Sequence, residues 1–149
     1  MHMLNPQTAA ALLRGQGVRP ERLIEQILDG FDFSKPAYAL DFWPGDVLYQ
    51  LMRLPSAAQP FMATGNWFGL AGITTSGVAI NDGLSGRQAV RFEVIAPFTA
   101  LEGTARALPA DLGTAIGGRG GATQIYIPKA LLGHLQALGH VERWEARPR

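Results

Sequence analysis

The sequence predicts an α+β domain of short strands in a single chain of 149 residues. Three observations lead there. Runs at 46–54, 88–96 and 122–127 alternate with the period of strands. Two helical patterns stand together at the N-terminus, and another opens at Pro128. Turn chemistry, Pro44-Gly45 and Asn81-Asp82-Gly83, punctuates the segments between them. The length suits one hydrophobic core, and no internal repeat is visible.

The elements follow in order. Met1-His2-Met3 reads as a cloning remnant. Residues 6–15 (PQTAAALLRG) form a short helix ending at Gly15 or Gly17. Pro20 opens a second helix that stops before Gly30, with Leu23, Ile24, Ile27 and Leu28 as its apolar face. Residues 31–45 are aromatic and contain Pro36 and Pro44. The strand 46–54 sets Val47, Tyr49, Leu51 and Arg53 on one side and Leu48, Gln50, Met52 and Leu54 on the other. Asn66-Trp67-Phe68-Gly69 is a short strand or tight aromatic turn. Residues 88–96 (QAVRFEVIA) alternate clearly and end before Pro97, and 101–108 supply a further strand. Pro128 then starts a helix through KALLGHLQAL with Gly139 as its C-terminal cap, and 141–147 return as an edge strand.

Composition narrows the chemistry. The formal net charge is +1, no signature of nucleic acid or an anionic membrane. The absence of cysteine excludes disulfides, thiol chemistry and thiolate-bound metals. His2, His134 and His140 are the only histidines, too few for an expected catalytic zinc, and no metal is expected. There is no apolar run of about 18 residues and no secretory signal, so the chain reads as part of something longer.

The most informative stretch is Gly117 to Pro128, GGRGGATQIYIP, in which Gly117, Gly118, Gly120 and Gly121 flank Arg119. Glycine lets backbone approach a ligand closely, and the following strand holds one polar side chain, Gln124, just beyond the loop. The loop enters a strand and lacks the Gly-Lys-Ser/Thr ending of a phosphate-binding P-loop. Gln124 offers a neutral carboxamide that orients a hydroxyl, a ribose or a water rather than acting as a base. A surface hairpin with a solvent-facing glutamine is the plainer alternative. Tyr49 and Arg53 share one strand face, one suited to stacking and the other to phosphate. Asn66, Trp67 and Phe68 suit a wall for a planar ring or, more simply, core packing. Arg119 is a further anion contact. Arg91 and Glu93 read as a solvent-facing pair of little energetic weight, and His134 as a surface residue.

The last third resembles a known family. Arg91-Phe-Glu-Val-Ile-Ala-Pro-Phe, Leu101-Glu-Gly-Thr-Ala, then Gly120-Gly-Ala-Thr-Gln-Ile-Tyr and a short helix ending in Leu-Gly are similar to the tail of the tuberculosis necrotizing toxin type NAD glycohydrolases, over about residues 88–147. Here Ile125 intervenes between Gln124 and Tyr126, and the first half matches only through Gly45-Asp-Val-Leu-Tyr and Asn66-Trp-Phe. The resemblance implies an ADP-ribosyltransferase-like fold of bacterial polymorphic toxins: split β-sheets with an N-terminal helical pair and a C-terminal helix. It implies residues 1–30 as a helical linker or extension and 31–149 as a toxin catalytic domain. It implies NAD or NADP as the substrate, with Gln124 and Arg53 catalytic. Tyr49, Asn66, Trp67, Phe68, Arg119, Gly120, Gly121, Thr123 and Tyr126 would bind it. A cognate immunity protein, secretion or injection within a larger toxin, and action in the target-cell cytoplasm follow from the same likeness. ADP-ribosyl transfer to a protein or RNA, and a non-enzymatic binding module, are the alternatives.

Overall fold

The structure is a computed structural model that describes residues 2–52, 65–70, 88–106 and 122–141. Strand β1 is His2–Leu4, followed by helices α1 (Pro6–Gly15) and α2 (Glu21–Asp29). Then come β2 (Ala37–Phe42), β3 (Val47–Met52), β4 (Trp67–Gly69), β5 (Gln88–Val94), β6 (Phe98–Thr104) and β7 (Thr123–Tyr126). A 3-10 helix at Lys129–His134 leads into β8 (Leu135–Val141).

These strands make one eight-stranded antiparallel sheet in the order β1-β2-β6-β7-β4-β3-β5-β8. The expected ADP-ribosyltransferase-like class with split sheets is therefore corrected: this is a mostly β chain around a continuous sheet. The join is β4. Only three residues long, it pairs with β7 on one side and β3 on the other, so no break separates the two groups of strands.

One further expectation is revised. Pro128 does not open a long helix. The 3-10 helix stops at His134, and Leu135 onward pairs with β5. Strand pairing outweighs the helix propensity of the leucine-rich segment, as tertiary context often does. At the N-terminus His2–Leu4 form β1, with His2 opposite Ala39 and Leu4 opposite Ala37. The glycine loop, the 71–87 segment and residues 142–149 lie outside the described residues.

The helices form where their signals stand. Asn5 caps α1: its Oδ1 accepts from the Thr8 amide at 2.8 Å, and Thr8 Oγ1 accepts from the Asn5 amide at 2.9 Å. Helix α2 runs from Glu21 and buries Ile24 and Ile27.

Each face of the sheet carries a core. On one, Leu48, Phe68, Val90, Phe92, Val94, Ile125 and Ile127 pack together, with Phe68 and Phe92 edge-to-face at 5.5 Å. On the other, Leu13, Ile24, Ile27, Phe31, Leu101 and Tyr126 join the helices to the sheet. Phe31 anchors the α2–β2 connection, meeting Trp67 at 5.3 Å and bridging to Ala105.

Candidate functional site

Gln124 lies in the middle of β7 and is 5% exposed. It alternates with Ile125, so its side chain faces the helix side of the sheet, as does that of Tyr126. Its cross-strand partners are Gly69 on β4 and Gly103 on β6. Gly69 in turn pairs with Tyr49 on β3, Tyr49 with Arg91 on β5, and Arg91 with Gly139 on β8. Directly paired residues point to the same face. One transverse row therefore reads Gly139, Arg91, Tyr49, Gly69, Gln124, Gly103 across six neighbouring strands. Glycines flank or separate Arg91, Tyr49 and Gln124 in this row. At about 4.8 Å per strand, Tyr49 stands about 10 Å from Gln124 along the row, and Arg91 about 14 Å.

The glycine at the β6 end of the row is a packing position. A Cβ at Gly103 would lie 2.8 Å from Phe31 Cδ1 and 3.3 Å from the Ala37 Cβ. The ring of Phe31 thus fills the space beside Gln124. Gly30 follows the same logic: its φ is −77°, so no left-handed turn requires it, but a Cβ there would come within 3.2 Å of the Trp67 ring. With both side chains missing, the α2–β2 connection descends onto the sheet. Gln124 Nε2 then donates to the Gly30 carbonyl at 2.6 Å, and the Arg106 amide donates to the same oxygen at 3.0 Å. The bond fixes the carboxamide's orientation, with Nε2 toward the connection. A carboxamide so held presents Oε1 as an acceptor and a second N–H as a donor.

Around this centre the expected residues separate. Tyr49 joins the row and is half-buried. Trp67 and Tyr126 share the face of Gln124, but their rings pack on one another at 5.0 Å within the helix-side core. Burial pushes the Tyr126 phenol above its ordinary value. Phe68 faces the opposite core, away from Gln124. Thr123 also points to the side opposite Gln124 and pairs with Thr104. Asn66 holds the end of β7: its Nδ2 donates to the Ile127 carbonyl at 2.9 Å, and the Ile127 amide donates back to its carbonyl at 2.8 Å. Arg53, Arg119, Gly120 and Gly121 lie outside the described residues.

Arg91, which sequence reasoning set aside as a solvent-facing residue, also falls on this row. The alternation of β5 already placed it opposite Val90, Phe92 and Val94, but only the register with β3 brings it beside Tyr49. His134, expected at the surface, is half-buried; its Nδ1 lies 3.0 Å from the Pro97 carbonyl and its ring meets Phe98 edge-on. Beside the α2–β2 connection opens a cleft of about 350 Å³, its lining including Phe31, Phe33, Asp29, Asp32 and Arg106. Asp32 is committed there: Ser34 donates to its Oδ1 from both Oγ and the amide and holds the carboxyl below its usual range, aided by the charges of Lys35 and Arg106. Among the described residues, no three metal-ligating side chains gather.

No protein-family model matches the chain, and no curated protein sequence matches it. Its fold is similar to that of Tse6, solved in complex with Tsi6, with a TM-score of 0.69. The similarity covers 92% of this chain and 98% of that one at 20% sequence identity.

Proposed function

We propose that this chain is the toxin domain of a larger bacterial protein, binds NAD or NADP, and cleaves the nicotinamide–ribose bond. The observation that carries the reading is the row on which Tyr49 and Gln124 flank Gly69, a position with no side chain of its own. Cleavage of an N-glycosidic bond passes through an oxocarbenium-like state, as glycoside hydrolysis does. Such a reaction needs the ribose held and a water aligned more than it needs a strong base. Gln124, its amide fixed by Gly30, orients the ribose or the attacking water. Tyr49 offers a ring face to the planar base. Asn66 holds the strand end beside them.

Two further observations support the reading. Residues 88–147 resemble the tail of the NAD glycohydrolase toxins in motif order, a likeness that would put Gln124 at the family's glutamine. The fold is shared with Tse6, which was solved bound to a second protein, Tsi6. By the same reasoning this domain has a cognate immunity protein, is secreted or injected as part of its parent, and acts in the target-cell cytoplasm.

The test is nicotinamide release from NAD and from NADP by the purified chain with no acceptor added, beside Gln124→Ala. Release by the parent chain and a loss of about 10²-fold or more in the variant are expected, the scale seen when a group that positions reacting atoms is removed. A thermal melt of the variant separates lost chemistry from a released α2–β2 connection. No release from either dinucleotide overturns hydrolysis. Consumption of NAD only when cell lysate is supplied would instead identify ADP-ribosyl transfer.

A further inference from the structure

Resting on the reading that this domain has a cognate immunity protein, we infer that the turn between β2 and β3 is where that protein docks, meeting Trp43 with an apolar pocket rimmed by lysine or arginine. Six large hydrophobic side chains are exposed among the described residues, and three of them, Trp43, Val47 and Ile95, belong to this turn and the strand end bonded to it. Trp43 is 60% exposed and Ile95 50%. Single exposed apolar residues are ordinary on a surface, whereas a group of them marks an interaction site. Tryptophan often dominates a protein interface, because one rigid ring buries a large area and keeps an N–H for its partner.

Backbone hydrogen bonds bring the group together. The Trp43 amide donates to Asp46 Oδ2 at 2.8 Å, and the Asp46 amide donates back to the Trp43 carbonyl at 3.0 Å. The Gly45 amide donates to the Val94 carbonyl at 3.0 Å, and the Val94 amide to the Asp46 carbonyl at 2.8 Å. Gly45 has a φ of +100°, which a side chain would strain, so Pro44-Gly45 closes the turn tightly. Ile95 follows Val94 directly, and Val47 pairs with Glu93 across β3 and β5. A backbone so fixed gives up little freedom when a partner covers it.

Charge selects the chemistry of that partner. Asp41 lies two residues before Trp43, Asp46 closes the turn, and Glu93 stands opposite Val47. Asp41 and Asp46 are exposed, and Glu93 is half-buried. Arg91, two residues from Glu93 along β5, offsets only part of this charge. Two copies of this chain meeting through the turn would bring like charges together, whereas a basic rim on a different protein complements them.

The probe is the neighbouring-gene product that relieves growth arrest when co-expressed with this chain. Its calorimetric affinity is measured for the parent chain, Trp43→Ala, Glu93→Lys and a control on edge strand β1, Met3→Ala, whose side chain is 70% exposed. Trp43→Ala is expected to weaken binding about thirtyfold or more, the scale of an interface anchor. Glu93→Lys should weaken it and flatten its dependence on salt, as loss of a complementary charge does. Met3→Ala should leave it unchanged, and thermal melts of Trp43→Ala and Met3→Ala should match the parent within about 4 °C. Binding as tight in Trp43→Ala as in the parent overturns the docking surface and leaves the immunity reading standing. An unchanged salt dependence in Glu93→Lys overturns the basic rim. If no neighbouring product both protects and binds the parent chain, the immunity reading falls and the docking surface with it. A parent chain that is dimeric in sedimentation and becomes monomeric as Trp43→Ala identifies a second copy as the occupant and overturns the inference.

Discussion

The two halves of the helix-side face are built on opposite terms. Over β2, β6 and β7, helices α1 and α2 and the ring of Phe31 bury Ala37, Leu101 and Tyr126. Here a missing side chain is taken up by packing, as Gly103 is by Phe31 at 2.8 Å from where a Cβ would stand. Among the described residues, the helix-side core takes none from β3, β5 or β8, although Leu51 and Ala89, paired on that face, are themselves buried. That second half instead carries the half-buried Tyr49 and the exposed Arg91 on the row that runs to Gln124. Gln124 stands at the border, where the packed connection meets the polar row, and its hydrogen bond to Gly30 joins the two. The packed half serves as the rigid support that a positioned polar group needs.

Substitutions on the two halves should therefore diverge most in stability. Phe31→Ala removes a ring that is 3% exposed and lies 5.3 Å from Trp67. It should cost about 3–5 kcal/mol, the usual range for a buried phenylalanine, read from denaturant unfolding. Arg91→Ala on the other half should shift stability by less than about 0.5 kcal/mol, as surface changes do. Equal costs would dissolve the contrast. Gly103→Ala sharpens it: the methyl must displace Phe31 or Ala37, for a penalty of about 1–3 kcal/mol. A neutral result would mean that the connection over Gln124 yields easily.

The smallest expected effect concerns Glu102 on β6, whose carboxyl burial pushes above its ordinary value. A raised carboxyl favours its protonated form in the fold. Its stabilising contribution is present below the unfolded value of about 4.5 and fades as pH rises through the folded one. Glu102→Gln should therefore raise the melting temperature slightly near neutral pH and lose that advantage near pH 4. A melt series across that window checks the sign.

Much of the local structure was legible in the residues. Residues 6–15 read as α1, the apolar spacing at Leu23, Ile24, Ile27 and Leu28 set the buried face of α2, and β5 showed its alternation. The loop glycines drew attention to Gln124 and its strand, but not to its partner: a hydrogen bond to Gly30, 94 positions away, has no trace in local pattern. The C-terminal leucines misled for the same reason. Their helix propensity is local, whereas pairing of Leu135 onward with β5 depends on an edge made by residues some forty positions earlier.

The sequence by itself determined where short elements begin, which side chains alternate together, and that a lone amide follows the glycine loop, because capping, periodicity and glycine's freedom act within a few residues. Only the tertiary structure decided that three-residue β4 would make the sheet continuous and that Arg91, Tyr49 and Gln124 would fall on one row. Those outcomes depend on strand order and register. Register is set by hydrogen bonds between segments far apart in the chain and by two cores that must each be buried at once.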